Sequence, residues 1–93
     1  MRRPLIPSAA FVRAAKSLTK KQVESADAIR ATLAKLEEDA FDPRLKTHKL
    51  KGEFAGFWSC SAGYDLRVVF EIVDVAGRES IHVLDVGTHD EVY

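Results

Sequence analysis

The spacing of hydrophobic residues changes about halfway along the chain, from a helical to a strand period. Phe11, Ala14, Ala15 and Leu18 recur at the spacing that lines one face of an α-helix, and Ser8, just after Pro7, stands where a hydroxyl caps a first turn. A second stripe of Val23, Ala26, Ile29, Leu33 and Leu36 predicts a longer helix from about Lys20 to Glu38, with Arg30, Lys35 and Glu37 toward water. Thr19-Lys20-Lys21-Gln22 has the form of a capping box, which sets the expected start of that second helix. Leu5 and Ile6 predict a short strand ahead of the helices, and Asp42-Pro43 ends the helical part because a residue before proline is driven out of the α region.

Beyond Phe54 the period becomes two. Runs from Phe57 to Ser61, Leu66 to Val73 and Ser80 to Val86 are separated by Ala62-Gly63-Tyr64-Asp65 and by a turn over Asp74 to Glu79 that contains Gly77. This predicts a three-strand antiparallel meander. In its middle strand Leu66, Val68, Phe70 and Ile72 face the helices, and Arg67, Val69, Glu71 and Val73 face the other side. The expected architecture is α+β in the order β-α-α-β-β-β, a single small domain over residues 1–93 with an N-terminal helical hairpin packed on an antiparallel sheet. The segment before Gly52 has no clear period and is expected to be a loop.

Composition narrows the function classes. Hydrophobic residues make up 46% of the 93 and charged residues 30%, so the chain reads as globular rather than disordered. No run approaches the roughly 18 apolar residues of a membrane helix, which leads to the expectation of a cytoplasmic protein without membrane association. Cys60 is the one cysteine, which rules out an intrachain disulfide and a thiolate zinc cluster and predicts a buried, inert thiol.

The 14 basic and 14 acidic residues give no net charge, yet Arg44, Lys46, His48, Lys49 and Lys51 fall close together with no acid among them. Local cationic density of this kind, rather than total charge, is what a phosphate backbone responds to.

No metal motif, phosphate-binding glycine loop or nucleophile elbow is present, so no metal or other cofactor is expected. The side chains able to transfer protons near neutral pH are His48, His82 and His89, with Asp65, Arg67 and Tyr93 as possible supports. Cleavage of RNA at its own 2′-hydroxyl needs only a base, an acid and a cation for the phosphorane, so such residues are sufficient in kind. His82, between Ile81 and Val83, reads as structural, and Arg67 has a second reading as a partner of Glu71 or Asp65 across the sheet. Phe54, Phe57 and Trp58 are open to two readings, a core or partner interface and a base-stacking platform.

Three blocks carry a resemblance: His48-Lys49-Leu50-Lys51-Gly52-Glu53-Phe54-Ala55-Gly56-Phe57-Trp58, Asp65-Leu66-Arg67-Val68-Val69-Phe70, and Gly87-Thr88-His89-Asp90-Glu91-Val92-Tyr93. Together they resemble the YafQ-like branch of the RelE/ParE toxin superfamily, and the helical hairpin ahead of them agrees with that fold in order and length. The resemblance implies a type II toxin that cleaves messenger RNA on the ribosome and is held by a cognate antitoxin in a hetero-oligomer. It implies His48 and His89 for proton transfer, Asp65 to orient one of them, Arg67 for the scissile phosphate, Tyr93 to stack on a base, and Lys46, Lys49 and Lys51 for flanking phosphates. One position departs from the pattern, with Ser61 standing where the branch has a second histidine. Two other functions share the fold, a ParE-like gyrase poison and a catalytically inactive relative kept for binding, and the paired histidines favour the nuclease.

Overall fold

A computed structural model of the chain describes residues 2–63 and 65–92. Among these, β1 (Leu5–Pro7) leads into α1 (Ala9–Lys21) and α2 (Ser25–Glu38); β2 (His48–Lys49), β3 (Trp58–Ser61), β4 (Leu66–Val75) and β5 (Arg78–Thr88) follow, and α3 (His89–Val92) closes the order. The strands form a sheet in the order β1-β5-β4-β3-β2.

The meander is as expected, but the sheet is mixed rather than antiparallel. β1 runs parallel to β5, pairing Leu5 with Ile81 and Pro7 with Val83. The geometry follows from connectivity: β1 is separated from β5 by the helical hairpin and three strands, so a tight turn does not impose direction on the pair. β2 is the second addition. Two residues are too short to show a period, and His48–Lys49 becomes a strand only by pairing with Ser59 and Trp58.

Ser8 caps α1 as its position predicts, its Oγ accepting from the Phe11 amide at 3.0 Å and donating to the Leu84 carbonyl at 3.1 Å. That second bond ties the helix start to β5 where its register with β4 slips between Val69 and Phe70. The Thr19 capping box does not form. α1 continues to Lys21 through good helix formers, and Thr19 turns its hydroxyl back to the Lys16 carbonyl instead. The break falls at Gln22-Val23-Glu24, where Gln22 accepts from Ser25 Oγ at 3.2 Å, and Val23 is left 77% exposed rather than on the buried stripe.

The core fills the space between the hairpin and one face of the sheet. Phe11, Leu18, Ile29 and Leu36 from the helices meet Cys60, Val68, Phe70, Ile81 and Val83 from the strands, with Ile72 packed at the margin. The alternation expected for β4 therefore holds, and the other face of the sheet carries no helix of the hairpin. Among the described residues no helix is long and apolar enough to cross a membrane.

Ser8→Ala should lower unfolding free energy by about 1–2 kcal/mol, since it removes a cap and a bond to the sheet together. Urea unfolding should show the midpoint falling with its slope unchanged. An unmoved midpoint would mean that neither bond contributes to stability.

Candidate active site on the uncovered face of the sheet

Strand alternation decides which side chains share the uncovered face. In β4, Arg67, Val69 and Glu71 lie between core residues; in β3, Ser59 and Ser61 flank the buried Cys60; in β5, His82 and Gly87 flank core positions. Register aligns them in rows, with Arg67 between Ser61 and Gly87, Val69 beside Ser59 and then His48, and Glu71 beside His82. Val69 and Ser59 are nearly or fully buried, at 6% and 0% exposed, so neighbouring side chains cover the middle of this row.

His48 reaches this face because the segment before it is pinned. Asp42 caps the short turn Pro43–Leu45 by accepting from the Arg44 amide at 2.9 Å, Leu45 is buried in the core, and Thr47 Oγ1 donates to the Ala40 carbonyl at 2.6 Å. The His48 ring is exposed, with Nδ1 3.1 Å from the Lys46 carbonyl. A carbonyl only accepts, so Nδ1 carries the proton and, in the neutral ring, Nε2 keeps a free lone pair.

Arg67 is half-buried, and its Nη1 donates to its neighbour's carbonyl at Leu66 at 3.0 Å. Neither of the carboxylates that the sequence offered it is its partner there, because Glu71 is engaged with His82 instead. Opposite Arg67 stands Gly87, which brings no side chain to the row. His48 and Arg67 are two strands and two residues apart, about 12 Å between Cα atoms, a gap that two long side chains and a phosphodiester can fill. His89 opens α3 two residues beyond Gly87 and is exposed.

Asp65 directly precedes β4, whose pairing with β5 ends at Leu66 and Thr88. It also lines a groove of about 300 Å³ shared with Gln22, Glu24 and Ser25. Two carboxylates there disfavour a phosphate, so the position suits Asp65 to orienting a neighbour rather than touching RNA. Tyr93 lies outside the described residues.

The basic segment divides. Arg44 is spent on Asp42, with Nη2 to Oδ2 at 2.8 Å, and the same contact holds the Asp42 carboxyl down at about 2. Lys46 and Lys51 are exposed near His48. Lys49 alternates to the helix side, its Nζ 5.3 Å from the Trp58 ring centroid. Trp58 in turn meets Phe41 edge to face at 5.1 Å, so it seals the margin of the core rather than offering a free ring face. Among the described residues no group of three His, Cys, Asp or Glu side chains could hold a metal ion.

The sequence reading missed the role of Glu71 beside His82. The signal was available, because a turn centred on Ala76-Gly77 sets residue 71 opposite residue 82 once the strands pair directly.

A helical hairpin on one side of a mixed sheet, with a polar uncovered side, defines the RelE-like toxin fold, and the comparisons agree. The chain belongs to the YafQ family, described as bacterial toxins of type II toxin–antitoxin systems, whose model matches residues 3–93. Its fold is similar to that of YafQ from E. coli strain BL21(DE3), with a TM-score of 0.79 at 16% identity over 99% of each chain. YafQ in the E. coli DinJ-YafQ toxin-antitoxin complex gives 0.77 at 17% identity over 100% of this chain and 99% of that one. A YoeB/ParE toxin from Agrobacterium tumefaciens gives 0.76 at 17% identity over 92% of this chain and 98% of that one. No curated protein matches the chain in sequence.

The Cys60 thiol is fully buried, and burial pushes it up to about 12 against a smaller opposing pull from Arg67. It should resist thiol reagents at pH 8 in the native protein and react once unfolded. Rapid labelling of the native form would show that the core beneath Arg67 opens.

Proposed function

We propose that the chain is an endoribonuclease that cleaves messenger RNA on the ribosome and is neutralised by a cognate antitoxin. The observation that carries this reading is that His48 and Arg67 share one side of the sheet, with the His48 Nε2 lone pair available in the neutral ring, while His89 directly follows β5. Family membership supports the toxin assignment, and the DinJ complex of the E. coli relative supports an antitoxin as partner.

In this reading His48 takes the proton of the 2′-hydroxyl through Nε2. The 2′-oxygen forms its bond to phosphorus, the bond from phosphorus to the 5′-oxygen breaks, and His89 delivers a proton to that leaving oxygen. The products are a 2′,3′-cyclic phosphate and a free 5′-hydroxyl. Arg67 offsets the charge that gathers on the phosphorane oxygens, Asp65 orients His89, and Tyr93 stacks on a base. Lys46 and Lys51 contact flanking phosphates on the His48 side, and Lys49 serves strand that continues past the β2 edge. A cytoplasmic protein that works on the ribosome needs little RNA-binding surface of its own, because the ribosome aligns the message. Ser61 provides no imidazole beside Arg67, and together with the absence of net charge this favours the alternative of a relative that binds without cleaving.

Induced expression in a bacterial host, with growth and primer extension on an abundant message, tests this. Wild-type chain should arrest growth and create new 5′ ends, and His48→Ala or His89→Ala should cut cleavage by about 10²–10⁴-fold with antitoxin binding retained. Arrest without cleavage would transfer the case to gyrase or another target, and growth without arrest to a binding protein.

A further inference from the structure

Among the described residues only Lys46 and Ala76 hold a positive φ without being glycine. Ala76 sits with Gly77 in the tight turn between β4 and β5, where such backbone is ordinary. Lys46 lies instead at the end of the short turn Pro43–Leu45, at φ 53° and ψ 41°, a conformation that glycine or asparagine adopts at lower cost than lysine. Its neighbours impose it. Leu45 is buried in the core and Thr47 Oγ1 donates to the Ala40 carbonyl, so residue 46 has to reverse direction between two fixed points. Its amide donates to the Pro43 carbonyl at 3.2 Å, which closes the turn. Left-handed backbone outside glycine persists where the surroundings determine it, and such positions gather near functional groups.

The consequence falls on His48. The reversal turns the Lys46 carbonyl toward the ring two residues on, 3.1 Å from Nδ1, while pairing of β2 with Ser59 holds the His48 backbone. Donor and acceptor are thus fixed from both sides. A carbonyl accepts only, so the contact requires a proton on Nδ1 whether the ring is charged or neutral. The nitrogen that gains and loses its proton is therefore Nε2, and no assumption about the resting charge of the ring enters. Without such an acceptor a neutral imidazole can carry its single proton on either nitrogen.

We infer that Lys46 is a positioning residue for His48 that acts through its left-handed backbone: its carbonyl orients the ring and leaves Nε2 as the nitrogen open to substrate. The inference rests on the nuclease reading above and gives Lys46 a task separate from the phosphate contact of its ammonium.

Nitrogen-15 spectra of the histidine rings in the purified full chain, followed through their titration, test this, with His48→Ala identifying the His48 signals. Ribosome-dependent cleavage of a message is measured on the same proteins. Lys46→Asn and Lys46→Val both remove the ammonium, so a phosphate contact is lost equally in the two. Asparagine tolerates left-handed backbone, whereas β-branched valine resists it. Wild type and Lys46→Asn should keep the proton of the neutral ring on Nδ1. Lys46→Val should show a mixture of the two tautomers and cleave about ten- to a hundredfold less than Lys46→Asn, the cost of a misplaced catalytic group. Lys46→Ala, which resists the same φ less than valine does, should fall between them and decides the matter if the valine variant does not fold. A neutral wild-type ring protonated on Nε2, or one tautomer pattern in all variants, would overturn the proposal. Equal cleavage by Lys46→Asn and Lys46→Val would also overturn it, leaving Lys46 a phosphate contact only. No cleavage by wild type would remove the nuclease reading itself, with the spectra alone then deciding what the Lys46 backbone does.

Discussion

The seam between β1 and β5 governs the rest of the molecule. Parallel pairing of three residues places Ser8 against β5, and Ser8 simultaneously starts α1 and bonds the Leu84 carbonyl. The hairpin is thereby committed to one side of the sheet from its first turn. Every apolar position of β4 that faces that side is then packed against the helices, and the opposite side mixes Arg67 and Glu71 with Val69 and Val73. A sheet covered on one side is the cheapest way for a short chain to combine a dry core with a broad polar surface.

The same seam coincides with the slip in register between β4 and β5. Pairing follows the hairpin turn from Val75 and Arg78 as far as Phe70 and Val83, then shifts by one so that Val69 meets Asp85. A bulge of this kind bends and twists its strand, and here it separates two regions of the uncovered side. Glu71 and His82 belong to the regular part near the turn, while Arg67, Gly87 and His89 lie beyond the slip. The two regions therefore keep separate geometries, one set by the turn and the other by the end of the strand.

The period of two in β4 and the stripe of α2 were legible because burial on one side leaves a repeating mark. Ser8 was legible because a cap is a local event. What escaped reading depended on distant partners: the direction of β1, the existence of β2, and the engagement of Arg44 by Asp42. Thr19 misled because its hydroxyl can satisfy either a helix start or a carbonyl within a continuing helix, and only the breadth of α1 decides between them. For the candidate site, His48, Arg67 and His89 were singled out through family-like blocks. The placement of Lys49 on the helix side needed the register of β2, and the partnership of His82 needed the pairing of β4 with β5.

β2 has a meaning beyond its contribution of His48. It ends the sheet after two residues, with Lys49 and Lys51 at its margin and a turn at Gly52–Phe54 immediately after. So short and charged a border gives another strand almost nothing to zip onto, and it discourages stacking of molecules edge to edge. The brevity of β2 thus builds colloidal tolerance into the same strand that carries His48.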